Sequence, residues 1–245
     1  MKNPKTTKKK RTRKRAKPPA PAAPVDGVLR DPDNYINREL SLLAFNRRVL
    51  EQAQDATVPL LERLRFLTIC TTNLDEFFEI RVSGLKQQIS YGTSQRTFDG
   101  RTALETFGAV SQAVHELVEE QYRTWREDLV PALTEEKIRV LRRRDWGPTI
   151  SRWVKRYFVH EVQPVITPIG LDPSHPFPQV LNKGLSYIVR LSGDDAYDRQ
   201  SGIAVLQVPR SLPRVIQLPT KGDGHDFTLL GSIIHAHVGE LFPGM

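Results

Sequence analysis

The sequence carries a single cysteine, Cys70, among its 245 residues. An internal disulfide and a cysteine-based zinc site are therefore excluded, and a reducing compartment such as the cytoplasm is implied. No apolar run reaches the ~18 residues of a spanning helix. The basic N-terminus is not followed by the apolar stretch of a secretory signal. There is no GxxxxGK[ST] loop, no GxGxxG and no GxSxG, which excludes P-loop, protein-kinase and serine-hydrolase chemistry. The six histidines (His115, His160, His175, His225, His235 and His237) include no HExxH and no His–carboxylate cluster at metal-ligand spacing.

Acid is missing from residues 1–17, which hold ten lysines and arginines. The whole chain has a formal charge of +8, but the other 228 residues hold 26 bases against 28 acids. The pI near 9.7 thus belongs to a tail rather than to the folded body. Charge repulsion and the prolines of 18–24 predict disorder over residues 1–34, with an extended proline-rich spacer. Such a tail attracts polyanions by Coulomb force and counterion release, with inorganic polyphosphate, nucleic acid and the anionic lipid of an inner membrane face as candidates. A solvated extension without a specific partner is the plain alternative.

From Tyr35 to about Leu133 the pattern is helical. Asn34 or Asn37 caps the first segment, in which Leu40, Leu43, Phe45, Val49 and Leu50 supply an apolar stripe. Pro59 opens a second helix whose apolar or small positions, Leu60, Leu64, Leu67, Thr71, Leu74, Phe78, Val82, Leu85 and Ile89, step by three and four. A third helix places Leu104, Phe107, Val110, Val114, Leu117, Val118, Tyr122 and Trp125 inward. Three helices with short loops suggest an up-down bundle.

Beyond Pro131 the texture changes to short β-branched runs separated by proline and glycine: 137–141, 165–167, 186–191, 203–208 and 214–217. Amphipathic helices fit 146–162 and 229–241. The expected fold class is α+β: a disordered tail over 1–34, a helical domain over 35–136, and an α+β domain over 137–245 with one mainly antiparallel sheet. The closing Phe242-Pro-Gly-Met245 follows a helix directly and reads as an interruption, because a proline–glycine pair normally turns the chain toward another element.

The polar notch Thr71-Thr72-Asn73 interrupts the second helix. A threonine can bond to a carbonyl one turn back, but the Asn73 amide has two donors and an acceptor to place. It suits an adenine edge or a phosphate oxygen, but a buried bond to a neighbouring helix is the commoner use of such an amide. Arg81 offers a guanidinium to an anion or to a nearby carboxylate. Asp75 and Glu79 are like charges at i,i+4 and give weak support for a magnesium site. Arg38, Arg47, Arg48, Arg63 and Arg65 either line an anion channel or pair with Glu39, Glu51 and Glu62. His175 sits in the proline-rigid Leu171-Asp-Pro-Ser-His-Pro-Phe-Pro178.

Several of these stretches resemble a known family. They are Tyr35-Ile-Asn-Arg-Glu-Leu-Ser41, Ala44-Phe-Asn-Arg47, Pro59-Leu-Leu-Glu-Arg-Leu-Arg-Phe-Leu67, Asn73-Leu-Asp-Glu-Phe-Phe78, Arg81-Val82 and Gly84-Leu-Lys86. All resemble the N-terminal domain of bacterial polyphosphate kinase, the histidine-autophosphorylating type. Pro164-Val-Ile-Thr-Pro168, Asp172-Pro-Ser-His-Pro-Phe-Pro178, Val208-Pro209, Leu212-Pro-Arg214 and Leu241-Phe-Pro-Gly244 resemble its head domain. Leu42 departs from the pattern, since the family usually has tryptophan there.

The resemblance implies reversible transfer of the terminal phosphate of ATP to inorganic polyphosphate, with Mg2+ and a phosphohistidine intermediate. It implies that Asn73 contacts ATP, that the head domain makes dimer contacts, and that members act as homo-oligomers. The phosphohistidine, the second important histidine and the magnesium-binding arginines belong to two further domains outside these residues. None of the six histidines here is then the phosphate carrier, and the chain alone is expected to be inactive. The alternatives are a non-catalytic polyanion-binding module acting through its tail, and a dimerisation scaffold.

Overall fold

The computed structural model describes Gly27, Leu29, residues 31–172, Ser174 and residues 176–194, 200–220 and 222–242. Most of the basic tail, the proline spacer and His175 lie outside the described residues. The chain divides into two compact units, Met1–Asn46 with Leu74–His115, and Arg47–Asn73 with Glu116–Met245. Helices α1 (Arg38–Gln54), α2 (Leu60–Phe77) and α4 (Ala103–Arg123) each supply residues to both.

The first unit includes residues from the stretch read as tail. Pro32–Asn34 form a 3-10 turn with proline in its first turn and Asp31 as cap. Asn37, not Asn34, caps α1: its Oδ1 accepts from the amides of Glu39 at 3.1 Å and Leu40 at 3.2 Å. Its Nδ2 donates to Asp99 Oδ2 at 3.0 Å, which fastens the loop 93–101 to the start of the helix. That loop turns at Gly100 (φ +78), where a Cβ would approach Pro32 to 3.2 Å. Thr102 and Glu105 then close a capping box over α4, with Glu105 N to Thr102 Oγ1 at 3.2 Å and Thr102 N to Glu105 Oε2 at 2.7 Å.

The helices are there as the spacing predicts, but their buried faces are shifted. A π turn at Phe78–Val82 joins α2 to α3 (Ser83–Ser90), and a second at Thr124–Leu129 joins α4 to α5 (Val130–Glu135). Each wide turn absorbs one extra residue. After Leu74 the buried positions are Phe77, Val82 and Leu85, while Phe78, expected inward, is 44% exposed. On α4 the buried line runs Ala103, Thr106, Val110, Val114, Leu117 and Gln121 and continues to Thr124 in the π turn, whereas Leu104 and Tyr122, both expected inside, are exposed. On α1 Leu43, Asn46, Leu50 and Ala53 are buried, and Phe45 is half out. Leu42, where the resemblance leads one to expect tryptophan, is 39% exposed.

The second unit contains, among the described residues, two three-stranded sheets where the sequence suggested one. The first is ordered β1 (Ile138–Val140), β6 (His225–Leu229), β5 (Val215–Gln217), with β1 parallel to β6 and β5 antiparallel to it. The second is ordered β2 (Pro168–Leu171), β4 (Gln200–Gln207), β3 (Ser186–Asp194), all antiparallel. The run expected as a strand at 165–167 instead ends a 3-10 turn, Gln163–Val165, and pairing starts at Pro168.

Helix α6 (Pro148–Tyr157), continued by a π turn at Phe158–Val162, and helix α7 (Leu230–His237) pack on these strands. Val154, Phe158, Val162, Leu206, Ile216, Leu230, Ile233 and Ile234 form the core of this unit. At about 25 cal/mol per Å2 such fully buried side chains are each worth ~2 kcal/mol. No described helix is long and apolar enough to cross a membrane.

Candidate functional site

The notch on α2 has the local chemistry expected of it. Thr68 Oγ1 donates to Arg65 O at 2.7 Å, Thr71 Oγ1 to Leu67 O at 3.1 Å and Thr72 Oγ1 to Thr68 O at 3.0 Å. The three hydroxyls are thereby consumed by the helix itself. Asn73 follows them, half-buried between exposed Thr72 and buried Leu74. Its amide is neither sealed among apolar side chains nor one of the buried polar groups left without a partner.

Arg81 lies in the π turn, half-buried, with no carboxylate within ion-pair distance among the described residues. Glu76, five residues earlier, makes no such pair with it. Three of the five arginines read as lining an anion channel or pairing with glutamates have protein partners. Arg47 pairs with Glu120 at 2.5 Å, Arg63 Nε donates to Ala53 O at 2.8 Å, and Arg65 stands 3.7 Å from Glu62. Among the described residues Arg65 stands beside Glu62 as expected, whereas Arg47 reaches across to Glu120 on α4.

That reach exposes a network the sequence did not announce. Glu120 accepts from Arg47 and, at 3.2 Å, from Gln54 Nε2; Gln54 also donates to Thr124 Oγ1 at 3.0 Å, and Thr124 donates to Glu120 O at 2.9 Å. The only local signal is the i,i+4 spacing of Glu120 and Thr124. Cys70 lies close enough to feel Glu120: burial pushes its thiol up to about 11, a hydrogen bond with Gln121 draws it back in part, and the Glu120 charge raises it further. Such a thiol is not a nucleophile at neutral pH.

Two of the described histidines are engaged with nearby oxygens. His115 Nδ1 is 2.6 Å from Ser111 O, and His237 Nδ1 is 2.8 Å from Glu240 Oε1 beside the Phe158 ring. His160 is exposed on the π turn after α6. Among the described residues no three His, Cys, Asp or Glu side chains gather as metal ligands, and Asp75 with Glu79 make no such group.

Comparison with known proteins gives this arrangement its setting. Residues 35–141 match the polyphosphate kinase N-terminal domain, and residues 149–245 match the polyphosphate kinase middle domain. Over 217 residues the chain is 52% identical to the polyphosphate kinase of Pseudomonas aeruginosa, covering 88% of this chain and 31% of that protein. Over 210 residues it is 53% identical to the polyphosphate kinase of Neisseria gonorrhoeae, covering 85% and 31%. The crystal structure of polyphosphate kinase from Porphyromonas gingivalis superposes with a TM-score of 0.69 at 30% identity, over 84% of this chain and 31% of that one. The chain therefore spans about a third of the length of these relatives, and it belongs to the polyphosphate kinase family, of which it carries the N-terminal and middle domains.

Proposed function

We propose that this chain is the nucleotide-positioning and scaffolding part of an enzyme that reversibly transfers the terminal phosphate of ATP to inorganic polyphosphate. The observation that carries the reading is Asn73: a half-buried amide in mid-helix, within the residues matched to the polyphosphate kinase N-terminal domain. Phosphoryl transfer relies on positioning and charge neutralisation more than on covalent work by the protein. An amide can meet the adenine edge with a donor and an acceptor together. Arg47 and Arg63 are engaged with Glu120 and the Ala53 carbonyl, so the reading gives the contact to Asn73.

The phosphohistidine and the Mg2+ ligands belong, on this reading, to the part of the relatives that these 245 residues do not match. The Cys70 thiol is too basic for covalent catalysis, and none of the described histidines takes the carrier role. The chain by itself is then inactive, works as a homo-oligomer with its head domain at the dimer contact, and acts in the cytoplasm.

The test is polyphosphate synthesis from ATP and Mg2+. The 245-residue chain alone should give none, and co-expression with the remaining domains of a close relative should restore it. In the restored enzyme Asn73→Ala should raise KM for ATP about tenfold, with a smaller effect on kcat. Robust synthesis by the chain alone, or an unchanged KM, rejects the proposal. A second reading, a polyanion-binding module, is favoured by the ten bases without acid in residues 1–17. It requires that neutralising those bases abolish binding of polyphosphate and most of its salt dependence.

A further inference from the structure

The second unit carries its own concentration of positive charge. From Arg139 to His160 there are seven lysines and arginines against one acid, Asp145. Two of the seven are committed within the fold: Arg139 to Asp226, and Lys155 to Glu240. Arg144 stands 3.7 Å from Asp145. The other four, Arg142, Arg143, Arg152 and Arg156, are exposed, and among the described residues none has a carboxylate within ion-pair distance.

Fold stability accounts for only part of this placement. Arg152 and Arg156 are like charges at i,i+4 on α6, which repel. The helix dipole favours cations in the last turn, which covers Lys155 and Arg156. The same dipole disfavours the arginines that precede the helix, on the 3-10 turn Arg143–Asp145 and next to it. From Arg143 to Arg156 the chain path is at most about 30 Å, five extended residues and eight helical ones. Several phosphates of one linear polyanion can bridge that span.

We propose that Arg142, Arg143, Arg152 and Arg156 form a docking ridge for a linear phosphate polyanion, inorganic polyphosphate, on the middle domain. The inference rests on the polyphosphate kinase reading for the identity of the ligand. The geometry favours polyphosphate over nucleic acid. Arg156 borders a surface groove of about 250 Å3 with Trp153, Tyr157, His160 and Glu161. The two aromatic rings there stack on each other, with centroids 5.2 Å apart and planes 19° from parallel, and both pack on the core. They leave little free face for a base, while the exposed guanidinium groups, of which Arg152 spends only its Nε on Pro148 O at 3.4 Å, keep N–H donors for phosphate oxygens.

The experiment is equilibrium binding of end-labelled long-chain polyphosphate to the full 245-residue chain over a series of salt concentrations, without ATP. The tail stays intact in every variant. Arg142→Gln with Arg143→Gln, Arg152→Gln with Arg156→Gln, and all four together are compared with the unaltered chain. Removing four contacts should weaken binding at least tenfold at 0.15 M salt and flatten the log–log salt slope by roughly 0.7 per contact. Lysine at the same four positions should keep binding within about threefold, since the phosphate contact is largely a matter of charge. The turn pair and the helix pair are read separately, so a folding defect in one leaves the other to decide.

An unchanged affinity and slope in the four-fold glutamine variant would overturn the ridge and leave binding to the tail. So would single-stranded DNA of equal charge binding as tightly as polyphosphate and losing as much on substitution, because the surface would then be a nucleic-acid one. Neither result depends on catalysis, so the ridge can fail while the enzymatic reading stands, and the reverse.

Discussion

Asn37 serves Asp99 and helix α1 at once: Oδ1 accepts the first free amides of the helix, and Nδ2 donates 3.0 Å to a carboxylate in the loop 93–101. Burial pushes the Asp99 carboxyl upward, but hydrogen bonds from Thr97 and Asn37 outweigh it and hold the group below its ordinary value of 3.8. The stability it contributes is present above that value and is lost as pH falls through the lower folded one. Asn37→Asp keeps the cap but sets two carboxylates face to face. The variant should lose roughly 1–3 kcal/mol at pH 7 and recover part of it below about pH 4, opposite to the parent. Urea titrations at pH 7 and pH 3.5 measure both signs.

Arg139 and Asp226 face each other in the β1–β6 register and join through two bonds of 2.7 Å, Nε to Oδ1 and Nη2 to Oδ2. The Asp226 side chain is 4% exposed and that of Arg139 is 50% exposed. Asp226→Ala should cost roughly 2–3 kcal/mol, less than a fully buried pair because the arginine can return to water. In an Arg139→Met background the same change should cost distinctly less, and a double-mutant cycle by denaturant unfolding reads the coupling.

Gly231 has a steric reason to be glycine: a Cβ there would lie 2.6 Å from the Tyr187 hydroxyl. Gly231→Ala should destabilise by about 1–2 kcal/mol through overpacking. In a Tyr187→Phe background the clash is gone, and the same substitution should become neutral or stabilise by up to ~0.5 kcal/mol through helix propensity. Thermal unfolding of the four proteins checks the reversal of sign.

Cys70, with its thiol near 11 and no exposed surface, should resist alkylation. At pH 7.5 roughly one such thiol in a few thousand is ionised. Modification of the folded chain should be at least about a hundredfold slower than of the chain in urea, as followed by mass spectrometry. Comparable rates would show that the helical region opens readily around this residue.

The helices and the α+β class could be read from the sequence because they rest on local signals: a capping asparagine, Pro59 just ahead of a helix, and three–four spacing. Which face each helix buries could not. Along α4 and the π turn after it the inward line includes Thr106, Gln121 and Thr124, so ranking positions by hydrophobicity selects Leu104 and Tyr122 instead. Strand β6 was hidden for a related reason. In His225–Leu229 the buried positions are Asp226 and Thr228, one satisfied by Arg139 and the other donating to Leu141 O at 2.9 Å. Its polar–apolar alternation therefore runs inverted. Asn73 stood out because it breaks a helix pattern, whereas the Arg47–Glu120–Gln54 network joins residues up to 73 positions apart and leaves no periodic trace.

The wide turn at Phe78–Val82 has a consequence for how this chain tolerates length changes. Glu79 and Ile80 within it are exposed, and the step from Phe77 to Val82 is five where a regular helix would use four. Deleting one of those two residues would let the surplus relax into ordinary winding and bring Leu74, Phe77, Val82 and Leu85 into an unbroken three–four–three rhythm. A mid-helix deletion, ordinarily ruinous because it rotates everything downstream by about 100°, would here act as a repair.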